Sequence, residues 1–216
     1  MSRKDSAGTP ATVALTRAGV PFTTHAYDHD PSARSFGLEA AEVLGLPPDQ
    51  VFKTLLVDTG QELAVGIVPV NCTLDLKAIA HALGVKKAEM ADPRAAERSS
   101  GYVVGGISPI GQKRPLRTVL DETAVLHDRV YVSGGRRGFD IGLSPTDLLT
   151  ITQAVLADVG ERYGLPVLLP PIPKTIRFAE APAVGRSILT TAKRSKGAAA
   201  YRQVAEGLAA KFWPTA

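Results

Sequence analysis

Two apolar runs, VFKTLLV (51–57) and ELAVGIVPV (62–70), flank the turn signal Thr59–Gly60. Short apolar runs around a glycine turn predict a β-hairpin, and the rest of the fold has to be built on it. Side chains alternate along a strand, so Val51, Lys53, Leu55 and Val57 share one face of VFKTLLV. The apolar members mark that face as buried. Lys53 is the exception, because an ammonium without a partner is expensive to bury. A lysine on an edge strand, snorkelling to water, gives the same pattern. Two glycine-rich segments further along favour a site instead: GYVVGGISPIGQK (101–113) and YVSGGRRGFDIGL (131–143). At Gly105, Gly106, Gly134 and Gly135 backbone N–H groups can approach a ligand with no side chain in the way. Each glycine cluster by itself reads equally well as turn geometry.

Around the hairpin the local signals alternate between short helices and strands. A helix over Pro10–Ala18 ends near Gly19, and PFTTHAY (21–27) alternates in polarity as a strand does. GLEAAEVLG (37–45) is a helix whose last glycine suits a left-handed cap. LDLKAIAHALG (74–84) is an amphipathic helix with Leu76, Ile79, Ala80 and Leu83 on one face. In DPRAAERSSG (92–101), Asp92 is placed as N-cap and Pro93 as the first helical residue. Strands are expected in GYVVGG (101–106), RTVLDE (117–122), RVYVSGG (129–135) and FDIGLS (139–144). A helix is expected from about Pro145, and another over QAVLADVGERYG (153–164). Strand pairs separated by short helices, without regular βαβ alternation, predict an α+β fold on a mixed, curved sheet.

Composition narrows the function classes. The chain has no apolar run of the roughly 18 residues that a membrane span needs. MSRKDSAGTPATVAL has no long apolar stretch ahead of a cleavage site, so no signal peptide is expected and a cytoplasmic location is. Cys72, the single cysteine, rules out an intramolecular disulfide and a cysteine metal cluster. Among the histidines only His25 and His29 are close in sequence, without the HExxH companion a metal site would use, so no metal and no cofactor are expected. Residues 153–216 hold nine Lys/Arg against four Asp/Glu, whereas residues 1–152 hold sixteen against seventeen. Nucleic-acid contact by the first part therefore needs local clusters rather than a global field. Lys86, Lys87, Lys113, Arg114, Arg117, Arg136 and Arg137 supply them, and solvated surface charge is the plain alternative for each.

The ordered series VPFTTHAYDHDPSARSFG (20–37), VFKTLLV, LDLKAIAHALGVKKAEMADP (74–93) and the two glycine segments resembles the YbaK/EbsC family of aminoacyl-tRNA deacylases, over about residues 8–157. That resemblance implies a barrel-like sheet flanked by helices and a trans-editing activity that clears Cys-tRNA(Pro). Aminoacyl-tRNA is then the substrate, prolyl-tRNA synthetase a candidate partner, and neither membrane nor DNA is expected. Matched position by position, it implies catalytic roles for Lys53, Ser133 and Asp140, and substrate contacts by Tyr27, Phe36, Thr54, Gly105, Gly106 and Gly134. In the implied mechanism the thiol of the mischarged cysteine attacks its own ester, and Lys53 positions charge. Chemically, Tyr27 and Phe36 offer flat faces, or plain core packing. Ser133 offers a hydroxyl, and Asp140 a carboxylate that could meet Lys53 or the substrate ammonium, or form a structural ion pair. A deacylase for another aminoacyl-tRNA acting by water attack, and a non-catalytic tRNA- or nucleotide-binding module, are the alternatives. Residues 158–216 form a basic appendage in which PPIPKTIRFAEAPAVGRS (170–187) and SKGAAAYRQVAEGL (195–208) resemble the end of ParA/Soj-type partitioning ATPases. The chain has no Walker A loop, so an ATPase is not expected.

Overall fold

The structure, a computed structural model, describes residues 8–33, 35–161 and 196–212. It divides into two units, Met1–Tyr163 and Gly164–Ala216. In the first, helix ends follow local chemistry. Helix α1 (Pro10–Ala18) starts on Thr9, whose side chain accepts from the Thr12 N–H. Helix α2 (Phe36–Leu44) starts on Ser35 and stops at Gly45 in the left-handed conformation. Helix α3 spans Leu76–Ala82, capped by Asp75, and α4 spans Pro93–Ser100, capped by Asp92 with Pro93 in its first turn. A 3-10 turn covers Glu122–Leu126, and α5 covers Pro145–Thr152.

The hairpin expected around Thr59–Gly60 is β2 (Val51–Asp58) against β3 (Leu63–Pro69), antiparallel from Phe52↔Pro69 to Asp58↔Leu63. The other strands of its sheet are β1 (Thr23–Ala26), β5 (Glu89–Met90), β6 (Arg117–Asp121), β7 (Val130–Arg136), β8 (Phe139–Leu143) and β9 (Val155–Ala157). Their order is β1-β8-β7-β2-β3-β6-β9, with β5 also on β2. β1–β8 and β7–β8 are antiparallel, while β7–β2, β3–β6 and β6–β9 are parallel. The result is the mixed, curved sheet of an α+β fold, open along its strand path and flanked by helices. A separate pair joins β4 (Thr73–Leu74) to β10 (Gly160–Glu161).

β2 is buried on both faces. Its Phe52 and Leu56 enter the main core with Ala11 and Leu15 of α1, Ala96 of α4 and Leu148 of α5. On the opposite face Val57 packs with Ile79, Ala80 and Leu83 of α3, and Val51 packs with Ala40 and Ala41 of α2. Lys53 lies on this second face, between the α2 cluster and the α3 cluster, which is where a lysine stem finds room.

Two expected elements are replaced by others. GYVVGG (101–106) is a series of turns, not a strand. Gly101 (φ +80°) caps α4, Gly105 has φ +87°, and the Gly106 N–H closes a turn onto the Val103 carbonyl. Left-handed glycines at both ends leave no extended run to pair. QAVLADVGERYG does not form a helix as far as it is described: Gln153 (φ +53°) terminates α5, and β9 then pairs with β6 from Val119↔Val155. Val159 is fully buried, and its carbonyl accepts from the Asp75 N–H. The first unit therefore continues past Ala157, where the appendage was expected to begin. In the second unit α6 spans Lys196–Phe212, with Ala198 and Ala200 buried and Tyr201 44% exposed. The PPIPKTIRFAEAPAVGRS segment lies outside the described residues.

Candidate active site

On the edge of β2 away from β3, the sheet forks. β7 pairs with β2 at Val51↔Tyr131 and Phe52↔Val132, and β5 pairs with it at Val57↔Met90 and Asp58↔Glu89. Between them only Leu56 is bridged, its carbonyl accepting from the Ala91 N–H. Among the described residues, Lys53, Thr54 and Leu55 have no strand partner on that edge. The cause lies in β7, where a bulge between Ser133 and Arg136 swings the β7–β8 ribbon away, since bulges bend a strand and raise its twist. A cavity of about 320 Å³ fills the fork. Because the edge is open, side chains from both faces of β2, Lys53 and Thr54, line it.

Cross-strand register brings the polar groups to this cavity. His25, Asp140 and Ser133 stand opposite one another across β1, β8 and β7. Lys53 lies two residues beyond the Val51↔Tyr131 pair, in step with Ser133 on the same face. Tyr27, Phe36, Lys53, Thr54, Gly105, Ser133 and Asp140 all line the cavity. Gly106 and Gly134 do not, and both serve packing. A side chain on Gly106 would strike the Arg136 backbone at 2.8 Å, and one on Gly134 would run into the Phe139 ring. Gly134→Ala is accordingly expected to destabilise the fold by about 1–3 kcal/mol through overpacking, lowering the melting temperature by several degrees. A variant that melts with the wild type in calorimetry would disprove that fit.

The charged groups do not neutralise one another. Lys53 Nζ donates to the Val70 carbonyl at 3.3 Å, and burial holds its pKa below the ordinary lysine value. The thiol of Cys72 is near enough to oppose that shift, although Cys72 does not line the cavity. Asp140 is 6% exposed, and its pKa is pushed up to about 7, first by burial and then by the nearby Glu39 carboxylate. Among the described residues no ion pair joins it to Lys53, so the Lys53–Asp140 contact considered from sequence is not made. The Tyr27 hydroxyl is raised as well, by burial and by Asp140 and Glu39. Thr54 Oγ1 is buried without a hydrogen-bond partner, an orphan of the kind a ligand or water satisfies.

Phe36 is held from several directions. Gly105 packs on its ring so closely that a Cβ there would lie 2.8 Å from Cζ. The Arg137 guanidinium sits 5.1 Å from the ring centroid, and His29 is 5.3 Å away. Arg137 also donates from Nε and Nη2 to the Val104 carbonyl, tying the 101–106 turns to the β7–β8 ribbon. Glu39 was not singled out from sequence. Its carboxylate accepts from the Asp30 N–H at 2.6 Å and contacts His29 Nδ1 at 2.9 Å, which anchors the loop before α2. No spacing rule reveals it, because its influence on Asp140 runs from α2 to β8 through space. Arg136, another lining residue, was visible only as part of a basic cluster.

These groups place a few polar side chains in a pocket with apolar walls, beside a strand edge left open at residues 53–55. The model of the aminoacyl-tRNA editing domain matches residues 30–151, the stretch that carries nearly all of this cavity. The chain belongs to the aminoacyl-tRNA editing domain family. EbsC of Enterococcus faecalis, proposed as a Cys-tRNA(Pro)/Cys-tRNA(Cys) deacylase, is 40% identical over 121 residues, covering 55% of this chain and 73% of that one. A solved structure proposed as a trans-editing enzyme for prolyl-tRNA synthetase superposes with a TM-score of 0.61 at 26% identity. The superposition covers 71% of this chain and 96% of that one, so the two share the α+β fold. The chromosome-partitioning ATPase Soj of Thermus thermophilus is 30% identical over 172 residues, 79% of this chain and 61% of Soj. That match is longer than residues 158–216, so it includes part of the editing domain too. Like its family, the editing domain acts on aminoacyl-tRNA as a deacylase. Among the described residues no helix is long and apolar enough to cross a membrane.

Proposed function

We propose that this editing domain removes cysteine from mischarged Cys-tRNA(Pro), with prolyl-tRNA synthetase as the enzyme whose errors it clears, in the cytoplasm. The observation that carries the reading is the pair of unneutralised groups, Lys53 and Asp140, in one cavity. The aminoacyl ester supplies what each lacks: an ammonium for the Asp140 carboxylate and carbonyl oxygens for the Lys53 ammonium. Ser133 and the orphan Thr54 hydroxyl offer further hydrogen bonds, and Tyr27 and Phe36 wall the pocket. The Gly106 N–H is committed to Val103, which leaves Gly105 as the glycine-loop candidate for an oxyanion donor. The 40% identity to EbsC supports the choice of amino acid.

In the proposed step the cysteine Sγ of the substrate attacks its own ester carbonyl carbon. The C–S bond forms, the bond from that carbon to the ribose oxygen breaks, and the thiol proton ends on the ribose hydroxyl. The products are a cysteine thiolactone and uncharged tRNA. Proximity inside the cavity and charge stabilisation by Lys53 do the work, and no protein nucleophile is used. Water attack assisted by Asp140, poised near neutrality, is the competing route.

Cys72 is the chain's single thiol and its charge is felt at Lys53, so its replacement decides between substrate thiol and protein thiol. Cys72→Ser is expected to release cysteine from Cys-tRNA(Pro) at close to the wild-type rate. Ser-tRNA, with oxygen in place of the attacking sulfur, should be deacylated far more slowly. Release of labelled amino acid from both charged tRNAs, with product trapping of the thiolactone, measures this. Loss of turnover in folded Cys72→Ser, or equal rates on the two substrates, would end the substrate-thiol mechanism.

A further inference from the structure

We propose that the recess on the far side of α4 binds phosphates of the tRNA acceptor arm through Arg98, Lys113 and Arg114. The recess is bounded by Gln61–Leu63 at the hairpin turn, by Ala95, Arg98 and Ser99 of α4, and by Lys113, Arg114 and Leu116 of the following loop. Helix α4 is its common wall with the editing cavity, since Pro93 and Ala96 line the cavity while the neighbouring stripe Ala95, Arg98 and Ser99 lines the recess. The two are thus about one helix diameter, roughly 10 Å, apart. At about 3.4 Å per stacked nucleotide, that spans roughly three nucleotides of one strand. A tRNA whose 3′ end occupies the cavity brings its nearest phosphates to this distance.

The charge in the recess is available for a ligand. Glu62 is its one carboxylate, and the Arg117 guanidinium lies 3.4 Å from it. Among the described residues Arg98, Lys113 and Arg114 have no carboxylate within salt-bridge distance, and all three are exposed. The backbone that carries them is tied down although their heads are in water. The Lys113 N–H donates to the Ser100 carbonyl, and Gly101 lies against the Lys113 Cβ, so the loop is fastened to the end of α4. Glu97 on the same helix accepts from the Val104 N–H, which ties α4 to the turns beside the cavity. The first part of the chain has no excess of basic charge, and a local cation cluster next to the site is the footprint such a protein needs.

This inference rests on the cavity being where the 3′ end binds, but its test needs no turnover. The full chain is titrated against a labelled RNA minihelix of acceptor-arm sequence, with fluorescence anisotropy read at several salt concentrations. The Arg98→Ala/Lys113→Ala/Arg114→Ala variant is expected to bind at least tenfold more weakly at low salt. Its slope of log affinity against log salt should be shallower by about 2, at roughly 0.7–0.9 for each phosphate that is no longer neutralised. Arg98→Lys/Arg114→Lys, which keeps the charge, should bind within threefold of the wild type. In parallel, cleavage of a 3′-aminoacyl adenosine, which lacks those phosphates, should be unchanged in the triple variant. Unaltered minihelix affinity and slope would overturn the proposal, as would lysine replacements that bind as weakly as alanine ones. Equal loss on minihelix-borne and adenosine substrates would place the effect in the cavity and overturn it as well. If the triple variant fails to fold, the single alanine variants carry the test, each expected to weaken binding two- to fourfold.

Discussion

Lys53→Ala is expected to lower deacylation of Cys-tRNA(Pro) by 10²–10³-fold or more while the domain stays folded, the size seen when one preorganised electrostatic donor is removed. Among the described residues the Lys53 ammonium makes one hydrogen bond, to a backbone carbonyl, and no ion pair, so its charge holds little of the fold. Burial lowers its pKa, so the folded protein binds fewer protons than the unfolded chain between that lowered value and the ordinary lysine range. In that window stability rises with pH, and at neutral pH the buried ammonium is a net burden. Lys53→Met, which keeps the stem and removes the charge, should therefore melt at or above the wild-type temperature and still be inactive. Single-turnover assays beside thermal melts of both variants make the comparison. A folded Lys53→Ala protein with wild-type rates would remove Lys53 from the chemistry.

Asp140→Asn is expected to separate activity from stability in the same way, with a signature in pH. Its carboxyl is pushed up to about 7, so the folded state binds more protons than the unfolded one between about pH 4 and 7. Stability contributed by this group falls as pH rises through that range. At pH 8 the ionised, buried carboxylate costs up to about 4 kcal/mol, from roughly three pKa units at about 1.4 kcal/mol each. Asparagine removes that slope, so the variant should gain on the wild type at pH 8 relative to pH 5 in urea unfolding. Activity should move oppositely. If the carboxylate receives the substrate ammonium, wild-type kcat/KM rises through about pH 7, and Asp140→Asn falls about 10²-fold or more with no such rise. Wild-type stability that is flat from pH 5 to 8 would show that Asp140 is not held protonated. Near-normal turnover by the asparagine variant would show that its charge is not used.

Local chemistry was well legible in the sequence where the determinant is a few neighbouring residues. The hairpin around Thr59–Gly60, the Asp92–Pro93 helix start and the Gly45 stop all lie where their residues put them. Val155–Ala157 was not legible. Its apolar residues fit a helix stripe, and only the parallel seam with β6, whose partner lies 36 residues earlier at Val119↔Val155, makes it a strand. GYVVGG failed for the opposite reason, since its apolar centre suits a strand while its glycines take left-handed angles. For the site, an anomalous lysine on an apolar face was the legible part, because burial of charge shows in one dimension. Glu39 and the missing pairing partner of residues 53–55 were hidden, since both depend on which strands meet across the sheet.

The fork has a mechanical consequence. The ribbon formed by β1, β8 and β7 is joined to the other half of its sheet along a seam of two residue pairs, Val51↔Tyr131 and Phe52↔Val132. Ser133 and Asp140, on one side of the aperture, ride on that ribbon, while Lys53 and Thr54 ride on the other half. A small rotation about the seam changes the width between them without breaking a ladder within either half. The seam therefore sets the spacing between the two sides of the pocket, in part through Tyr131, which does not line it.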